Sequence, residues 1–203
     1  MKIILIDYGV GNLRSVQKAL ASVGADVVQT DDPQKILSGE KVVLPGVGAF
    51  KDGMQGLQER GLIPIIDTVV ARCTPILGIC LGMQLFFGSS SEKGETRGLG
   101  YVSGEVRPFP VNELKVPQTG WNQLQIDQTH PLFKGVQDKS YVYFNHSYYC
   151  EPSNPSVVIA RTDYGVNFAS SVSVGAIYGV QFHPEKSQDV GLQILKNFVE
   201  VCG

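Results

Sequence analysis

A cysteine between two glycines is the first candidate for catalysis in this sequence. Cys80 lies in the pattern GICLG (residues 78–82), after the apolar run 75–79 and before a segment typical of a helix start. A G-x-C-x-G pattern at a strand-to-helix turn predicts a nucleophile elbow, in which the glycines let the turn close tightly. The helix N-terminus would stabilise a thiolate, and the backbone N–H of Leu81 would donate to an oxyanion. Short motifs also match by chance, so a buried cysteine with a packing role remains open.

A thiol nucleophile needs a base, and the sequence holds three histidines: His130, His146 and His183. His183 follows the apolar run 176–182 and stands in the segment QFHPE, with Glu185 two residues further on. Residues i and i+2 of an extended segment point the same way, and Pro184 keeps this segment extended. The sequence therefore predicts that the Glu185 carboxylate orients the His183 imidazole.

These residues together predict a Cys80–His183–Glu185 triad. The glycine-rich segment PGVG (45–48) follows another apolar run, and its backbone can approach a reacting carbonyl and supply a second oxyanion N–H. His146, in the segment FNHSY, is the second choice of base. A surface role is favoured for His130, which precedes a proline in a polar segment.

Strand and helix signals alternate in the first half, and strands dominate the second half. The predicted strands are 2–7, 25–29, 41–44 and 75–79, followed by 104–107, 141–144, 157–161 and 176–182. A helix capped by Asn12 follows the first strand, and a helix over 52–71 is broken near Gly61 and Pro64. We predict one α/β domain over residues 1–203, with a mostly parallel open central sheet flanked by helices and extra antiparallel strands in the second half.

Composition excludes several classes of protein. The net charge is −2 with no basic tract, which argues against nucleic acid as the main partner. The apolar run near the N-terminus stops at Asp7, too short for a signal peptide or a membrane span, so we expect an unexported, cytoplasmic protein. Four cysteines lack zinc spacing, so no metal site is predicted. Two disulfides are possible by number, but reduced thiols are expected without export.

At these motifs the sequence resembles the class I glutamine amidotransferases, the triad glutaminase family. GICLGMQ is similar to the family's nucleophile motif, and GVQFHPEKS is similar to its His-x-Glu motif. Within the family, IDYGVGNLRSV, LPGVGAF, GWNQL and YFNHSYY resemble the glutaminase subunits of imidazole glycerol phosphate synthase, an enzyme of histidine biosynthesis. The matches span residues 6 to 187.

The resemblance implies a reaction on L-glutamine without a cofactor. Cys80 would attack the side-chain amide, His183 would protonate the departing ammonia, and Glu185 would orient His183. The oxyanion donors would be the backbone N–H groups of Val47 and Leu81. The residues implied to contact the substrate are Gly46, Gly48, Gln84, Glu92, His146, Ser147 and Tyr148. Without the family, Glu92 would be read as a solvated loop charge.

The resemblance also implies a partner, a (β/α)₈-barrel cyclase subunit that receives ammonia through a channel and forms a heterodimer with this chain. The residues implied at that interface or channel are Asn12, Trp121, Asn122, Tyr143 and Lys186. Many relatives carry adjacent glycines in the oxyanion loop, whereas Val47 separates Gly46 and Gly48 here. In this subgroup the pattern implies an N–H that must turn inward, so we expect poor activity until the partner binds.

Other readings of the sequence differ in class. A free-standing cysteine hydrolase of the α/β-hydrolase type usually places its acid before its histidine, whereas His183 precedes Glu185. A non-catalytic interaction module would not require an intact Cys80, His183 and Glu185. Within the amidotransferases, the pyridoxal-phosphate, GMP and anthranilate pathways are nearer rivals. The segments 6–16 and 120–124 favour the histidine pathway.

Overall fold

The computed structural model describes residues 1–110, 114–127 and 129–202; the predicted domain end at residue 203 lies outside them. The strands are β1 Lys2–Ile6, β2 Asp26–Thr30, β3 Lys41–Leu44, β4 Ile76–Ile79, β5 Phe87–Ser90, β6 Thr96–Arg97, β7 Val102–Pro108, β8 Gln118–Gln123, β9 Gln125–Ile126, β10 Tyr141–His146, β11 Tyr148–Pro152, β12 Val158–Asp163, β13 Asn167–Val174 and β14 Ile177–Val180. The helices are α1 Leu13–Ser22, α2 Pro33–Leu37, α3 Phe50–Glu59, α4 Ile63–Ala71, α5 Leu81–Leu85 and α6 Gln188–Glu200.

A parallel block of strands forms one half of the large sheet, in the order β2-β1-β3-β4-β14. The sheet continues through antiparallel pairings to β13, β11 and β7, and then through β5 to β6. Strands β8 and β10 form a separate antiparallel pair. Two clusters of buried apolar side chains form the core, with α1 and α6 contributing to one and α2, α3 and α4 to the other. The α/β prediction, with a parallel centre and antiparallel strands from the second half, is confirmed.

Burial on both faces explains the central strands. All residues of β3, β4 and β14 are buried, as expected for strands in the middle of a covered parallel sheet. Strands β4 and β14 are parallel neighbours, and Ile79 pairs with Val180. The carboxyl ends of these two strands therefore lie side by side, at the edge where open α/β sheets bind ligands.

Some predicted elements differ from the observed ones. The break in the second helical segment is confirmed: Gly61, at φ +61°, separates α3 from α4. Asn12 occupies the N-cap position of α1, but its side chain forms no capping hydrogen bond, so the predicted cap is wrong in that respect. Residues 87–90 and 96–97 form two further strands, β5 and β6, which were not among the predicted strands.

The long strand β13 was missed because its sequence, NFASSVSV, is rich in serine, which favours turns and caps. Ser170 and Ser171 are nevertheless completely buried. The Ser171 hydroxyl donates to the Gly179 carbonyl at 2.7 Å, so tertiary contacts supply what local propensity lacks. Among the described residues, no helix has the length and apolarity required to span a membrane.

Candidate active site

Cys80 lies on a strained turn between β4 and α5. Its φ is +53° and its ψ −107°, a backbone conformation that residues other than glycine rarely adopt. A Cβ at Gly82 would lie 1.8 Å from the Leu44 carbonyl oxygen, and one at Gly78 would lie 2.6 Å from the Met83 nitrogen. The two flanking glycines are therefore required for the turn to close, as the elbow pattern predicts. Helix α5 is only five residues long and ends at Leu85, so its dipole is a modest aid to a thiolate.

His183 and Glu185 form a buried ion pair beyond the end of β14. The His183 Nδ1 and Glu185 Oε1 atoms are 2.8 Å apart, and each side chain is 2% exposed. The predicted pairing is present, but its predicted extended backbone is wrong. Pro184–Lys186 form a 3₁₀ turn, closed by bonds from the Lys186 N–H to the His183 carbonyl and from the Ser187 N–H to the Pro184 carbonyl. This turn brings the carboxylate back onto the imidazole.

The imidazole and the thiol meet because β4 and β14 are neighbours. The Cys80 N–H donates to the Val180 carbonyl at 2.8 Å, which ties the elbow to the strand that leads to His183. Burial lowers the pKa of His183, but interactions with Cys80 and Glu185 outweigh it and raise the pKa to about 10. The His183 Nε2 atom is buried and has no hydrogen-bond partner among the described residues. Catalytic hydrogen bonds are often long or poorly aligned before substrate binds.

A cavity of about 270 Å³ opens over Cys80, large enough for an amino-acid substrate. Its lining residues are Val47, Gly48, Cys80, Leu81, Gln84, Glu92, Pro117, Asn145, His146, Ser147 and Tyr148. All but one of the residues implied to bind substrate line this cavity; Gly46 is not among the lining residues. Pro117 and Asn145 were not predicted. They enter because β8 and β10 pair and carry both residues to the rim.

The Glu92 carboxylate is fixed at the cavity wall. Its Oε2 atom accepts a hydrogen bond from the Phe50 N–H at 2.7 Å, at the start of α3. This contact satisfies one of the unpaired N–H groups of the helix and complements its dipole. The carboxylate is thus held in place rather than free in solvent, which suits a role in binding an ammonium group.

His146, the second choice of base, is buried in an aromatic environment. Its ring lies 5.3 Å from Phe109, 5.6 Å from Phe144 and 5.3 Å from Phe168, measured between centroids. Burial lowers its pKa to about 4, so the imidazole is neutral at pH 7. Its Nδ1 atom lies 2.7 Å from the Tyr148 carbonyl, which can only accept, so Nδ1 carries the proton. The geometry favours His183 as the base.

Gln181 is a polar neighbour of the thiol that sequence reasoning missed. It is fully buried, and its Nε2 atom lies 3.7 Å from the Cys80 sulfur. The one available signal was an amide side chain inside the otherwise apolar run 176–182, next to the histidine motif.

The predicted oxyanion hole is closed in this structure. The Leu81 N–H, one of the two predicted donors, donates instead to the Gly46 carbonyl at 3.3 Å. Val47 is 40% exposed, and Gly48 adopts φ +111°. A Cβ at Gly46 would lie 2.3 Å from the Tyr8 hydroxyl, so only glycine fits there. The loop therefore blocks the hole it was expected to complete.

The residues implied at a partner interface lie mainly on one exposed surface near His183. Trp121 is 46% exposed and contacts Tyr143 edge-on, with ring centroids 6.1 Å apart. The Lys186 Nζ atom lies 5.6 Å from the Tyr143 ring centroid. The Tyr143 carbonyl accepts from the His183 N–H at 2.9 Å, so this surface connects directly to the ion pair. Asn122 binds the Asp163 carbonyl, and Asn12 is exposed at the start of α1.

Outside the Cys80 site, the described residues offer little further cysteine or metal chemistry. All four cysteines are free thiols, and Cys73 is the exposed one. Within residues 1–110, 114–127 and 129–202, no cluster of three or more histidine, cysteine or acidic side chains is arranged to hold a metal ion.

Comparison with known sequences identifies the family. Residues 4–202 match the family described as Glutamine amidotransferase class-I. The chain is 50% identical over 199 residues to the Imidazole glycerol phosphate synthase subunit HisH of Moorella thermoacetica, covering 98% of this chain and 94% of that protein. It is also 50% identical over 206 residues to the protein of the same name from Methanosarcina acetivorans, covering 99% of each.

Solved structures support the same fold. A structure described as PurLQS from Thermotoga maritima aligns with a TM-score of 0.75 at 19% identity, over 98% of this chain and 95% of that one. Likeness at this identity concerns the fold alone. The family match covers nearly the whole chain and does not depend on this structural likeness. The family match excludes the α/β-hydrolase alternative, and this protein belongs to the class I glutamine amidotransferases.

Proposed function

We propose that this chain is the glutaminase subunit of an imidazole glycerol phosphate synthase, hydrolysing L-glutamine and passing ammonia to a cyclase in histidine biosynthesis. The observation that carries the chemistry is the meeting of Cys80 with the buried His183–Glu185 pair under a cavity of amino-acid size. The pathway rests on relatives of about 50% identity, over nearly the full length, that carry that name.

Attack on the glutamine side chain begins the proposed reaction. The Cys80 thiolate adds to the amide carbon, and charge develops on the amide oxygen. The raised pKa of His183 keeps its imidazole protonated at neutral pH, so it carries the proton that the departing nitrogen needs. The Glu185 carboxylate accepts the N–H of His183 Nδ1, with Nδ1 and Oε1 2.8 Å apart, so the Nε2 atom faces the reacting groups.

Two proton transfers at His183 complete the proposed cycle. The imidazolium protonates the departing nitrogen, ammonia leaves, and a glutamyl thioester remains on Cys80. The neutral imidazole then takes a proton from water as the water attacks the thioester, and glutamate is released. Glu92, fixed by the Phe50 N–H, supplies negative charge for the substrate ammonium group.

One peptide rotation would open the oxyanion hole. The Gly46 carbonyl and the Val47 N–H belong to the same trans peptide and point in opposite directions. Turning this peptide over releases the Leu81 N–H from the Gly46 carbonyl and directs the Val47 N–H toward the cavity. Both donors thus become available in one step. We propose that the partner stabilises the rotated state, which makes glutamine hydrolysis dependent on assembly.

Replacing Val47 with proline tests this rotation, because proline removes the N–H and keeps the loop otherwise apolar. Val47→Pro should lower glutamine turnover in the assembled synthase by about 10²- to 10³-fold, the usual cost of one oxyanion donor. Val47→Ala keeps the N–H and is the matched control, expected to stay close to the parent protein. Equal turnover in the two variants would rule out the Val47 N–H as a donor.

The partner we propose is a (β/α)₈-barrel cyclase that docks over Trp121, Tyr143 and Lys186. Trp121 is exposed and Tyr143 is half-buried, and aromatic side chains beside a cation are typical of protein interfaces. This surface shares the Tyr143–His183 backbone bond with the active site, so docking there would place the barrel entrance close to where ammonia is released. We also propose a cytoplasmic location, consistent with four free thiols.

Ammonia release from L-glutamine tests the proposed function. The chain is assayed alone, with the cyclase, and with the cyclase plus its phosphoribosyl-formimino nucleotide substrate. Turnover should be weak alone and rise strongly with both additions, with imidazole glycerol phosphate formed in step with glutamate. Full turnover by the isolated chain, without any response to the cyclase, would contradict the partner dependence.

A further inference from the structure

Gln181 lies at the centre of a buried chain of hydrogen bonds behind the nucleophile. Its backbone N–H donates to the Ser170 carbonyl at 2.9 Å, just past the end of β14. Its side-chain oxygen accepts from Gln84 Nε2 at 3.0 Å, and its side-chain nitrogen lies 3.7 Å from the Cys80 sulfur. No part of Gln181 is accessible to solvent, so water cannot replace these contacts.

A single backbone carbonyl fixes the direction of every bond in this chain. The Tyr148 carbonyl can only accept, and Gln84 Nε2 lies 3.1 Å from it, so the NH₂ end of Gln84 must face Tyr148. The second hydrogen of that NH₂ points to Gln181, which must therefore present its oxygen there. The NH₂ end of Gln181 is then left for the Cys80 sulfur. The amide orientations follow from hydrogen-bonding chemistry alone.

Two consequences follow for the site. An N–H donor directed at the Cys80 sulfur stabilises the charged thiolate more than the neutral thiol, because bonds to charged acceptors are stronger. Gln84 spends both amide hydrogens on Tyr148 and Gln181, so its oxygen remains to meet a donor in the cavity that it lines. Gln181 thus contacts the Cys80 sulfur and also orients Gln84, which lines the substrate cavity.

We propose that Gln181 is a positioning residue for glutamine hydrolysis, holding the Cys80 sulfur with its NH₂ group and orienting Gln84 with its oxygen. The inference rests on the proposed function and extends it to a residue outside the triad. The two roles can be separated by substitution. Gln181→Glu keeps an acceptor for Gln84 but turns an oxygen toward the sulfur, whereas Gln181→Met has similar size and lacks both groups.

The first measurement is the pH profile of iodoacetamide alkylation at Cys80 in the isolated chain, followed by peptide mass spectrometry to separate Cys80 from the exposed Cys73. Both variants should alkylate about tenfold more slowly at pH 7, and the rate should recover at higher pH. A purely structural role would reduce the reactive fraction without moving the profile. Gln193→Met, on α6, is the control for loss of a part-buried amide and should match the parent.

The second measurement is steady-state kinetics in the assembled synthase. Gln181→Glu should lower kcat about tenfold with little change in KM, since Gln84 stays oriented. Gln181→Met should also raise KM, because Gln84 is then free to turn over. Gln181→Asn, which keeps an amide one methylene shorter, should give the slowed alkylation with the least disturbance of folding.

Alkylation profiles of folded Gln181 variants that overlay the parent profile would overturn the positioning role. That outcome would leave the proposed function intact, because the parent chain would still release ammonia through Cys80. If the parent protein itself releases no ammonia from L-glutamine in the assembled synthase, that result would instead contradict the proposed function.

Discussion

Cys80→Ala is expected to lower glutamine-dependent ammonia release by on the order of 10⁴-fold or more, because triad members act as a unit and the nucleophile is its first member. The assay is glutamate formation in the synthase assembled with its cyclase. A tenfold loss would contradict the assignment of Cys80 as the nucleophile.

The structure offers a matched control for this substitution. Cys73 also adopts a positive φ, +55° against +53° for Cys80, but it is exposed and lies away from the cavity. Cys73→Ala therefore removes a thiol from another position of positive φ and should retain activity. With ammonium salt in place of glutamine, the Cys80→Ala synthase should still form imidazole glycerol phosphate. If synthesis also fails, the substitution has damaged assembly rather than chemistry.

Glu185→Gln is expected to lower glutamine turnover by about 10³- to 10⁴-fold, the cost of a misoriented histidine in comparable triads. The carboxylate at 2.8 Å fixes the Nδ1 proton of His183 and helps raise the pKa of that imidazole. A neutral amide in its place loses the charge and can turn its NH₂ group toward the ring. Glu200→Gln, at the exposed end of α6, is the control expected to have no effect.

The same substitution should change the pH dependence of stability. The pKa of His183 is raised from 6.5 to about 10 on folding, through Cys80 and Glu185 acting against burial. The stabilisation from this bound proton is complete below about pH 6.5 and is lost as the pH rises toward 10. Urea unfolding of the parent protein should show this decline, and Glu185→Gln should show a smaller one. A parallel decline in both proteins would mean that Glu185 does not hold the proton.

The sequence predicted which residues form the triad, but it did not predict the conformation of the oxyanion loop or the contacts of Gln181. Cys80 and His183 both follow apolar runs, and parallel strands end at one edge, so their meeting followed from pattern and topology. The bond from the Leu81 N–H to the Gly46 carbonyl did not follow, because it depends on the rotation of one peptide in a glycine-rich loop. The same is true of Gln181, whose contacts join three separate segments.

The antiparallel half of the sheet was the harder part to predict. The serine-rich β13 is held by burial and by cross-strand bonds that no local pattern reveals. The pairing of β8 with β10 likewise brought Pro117 and Asn145 to the cavity without a motif. Trp121 illustrates the opposite case, since tryptophan is usually mostly buried and this one is 46% exposed. Family resemblance, rather than hydrophobicity, indicated its surface role.

Covalent labelling by a glutamine-analogue diazoketone is the most direct test that the thiol at the elbow is the nucleophile. The reagent needs both a substrate-shaped cavity and an activated sulfur, so peptide mass mapping reports on the two together. We expect one label per chain, on Cys80, lost in His183→Ala and blocked by excess L-glutamine. Labelling of Cys73, Cys150 or Cys202 with Cys80 unmodified would contradict the assignment of Cys80 as the nucleophile.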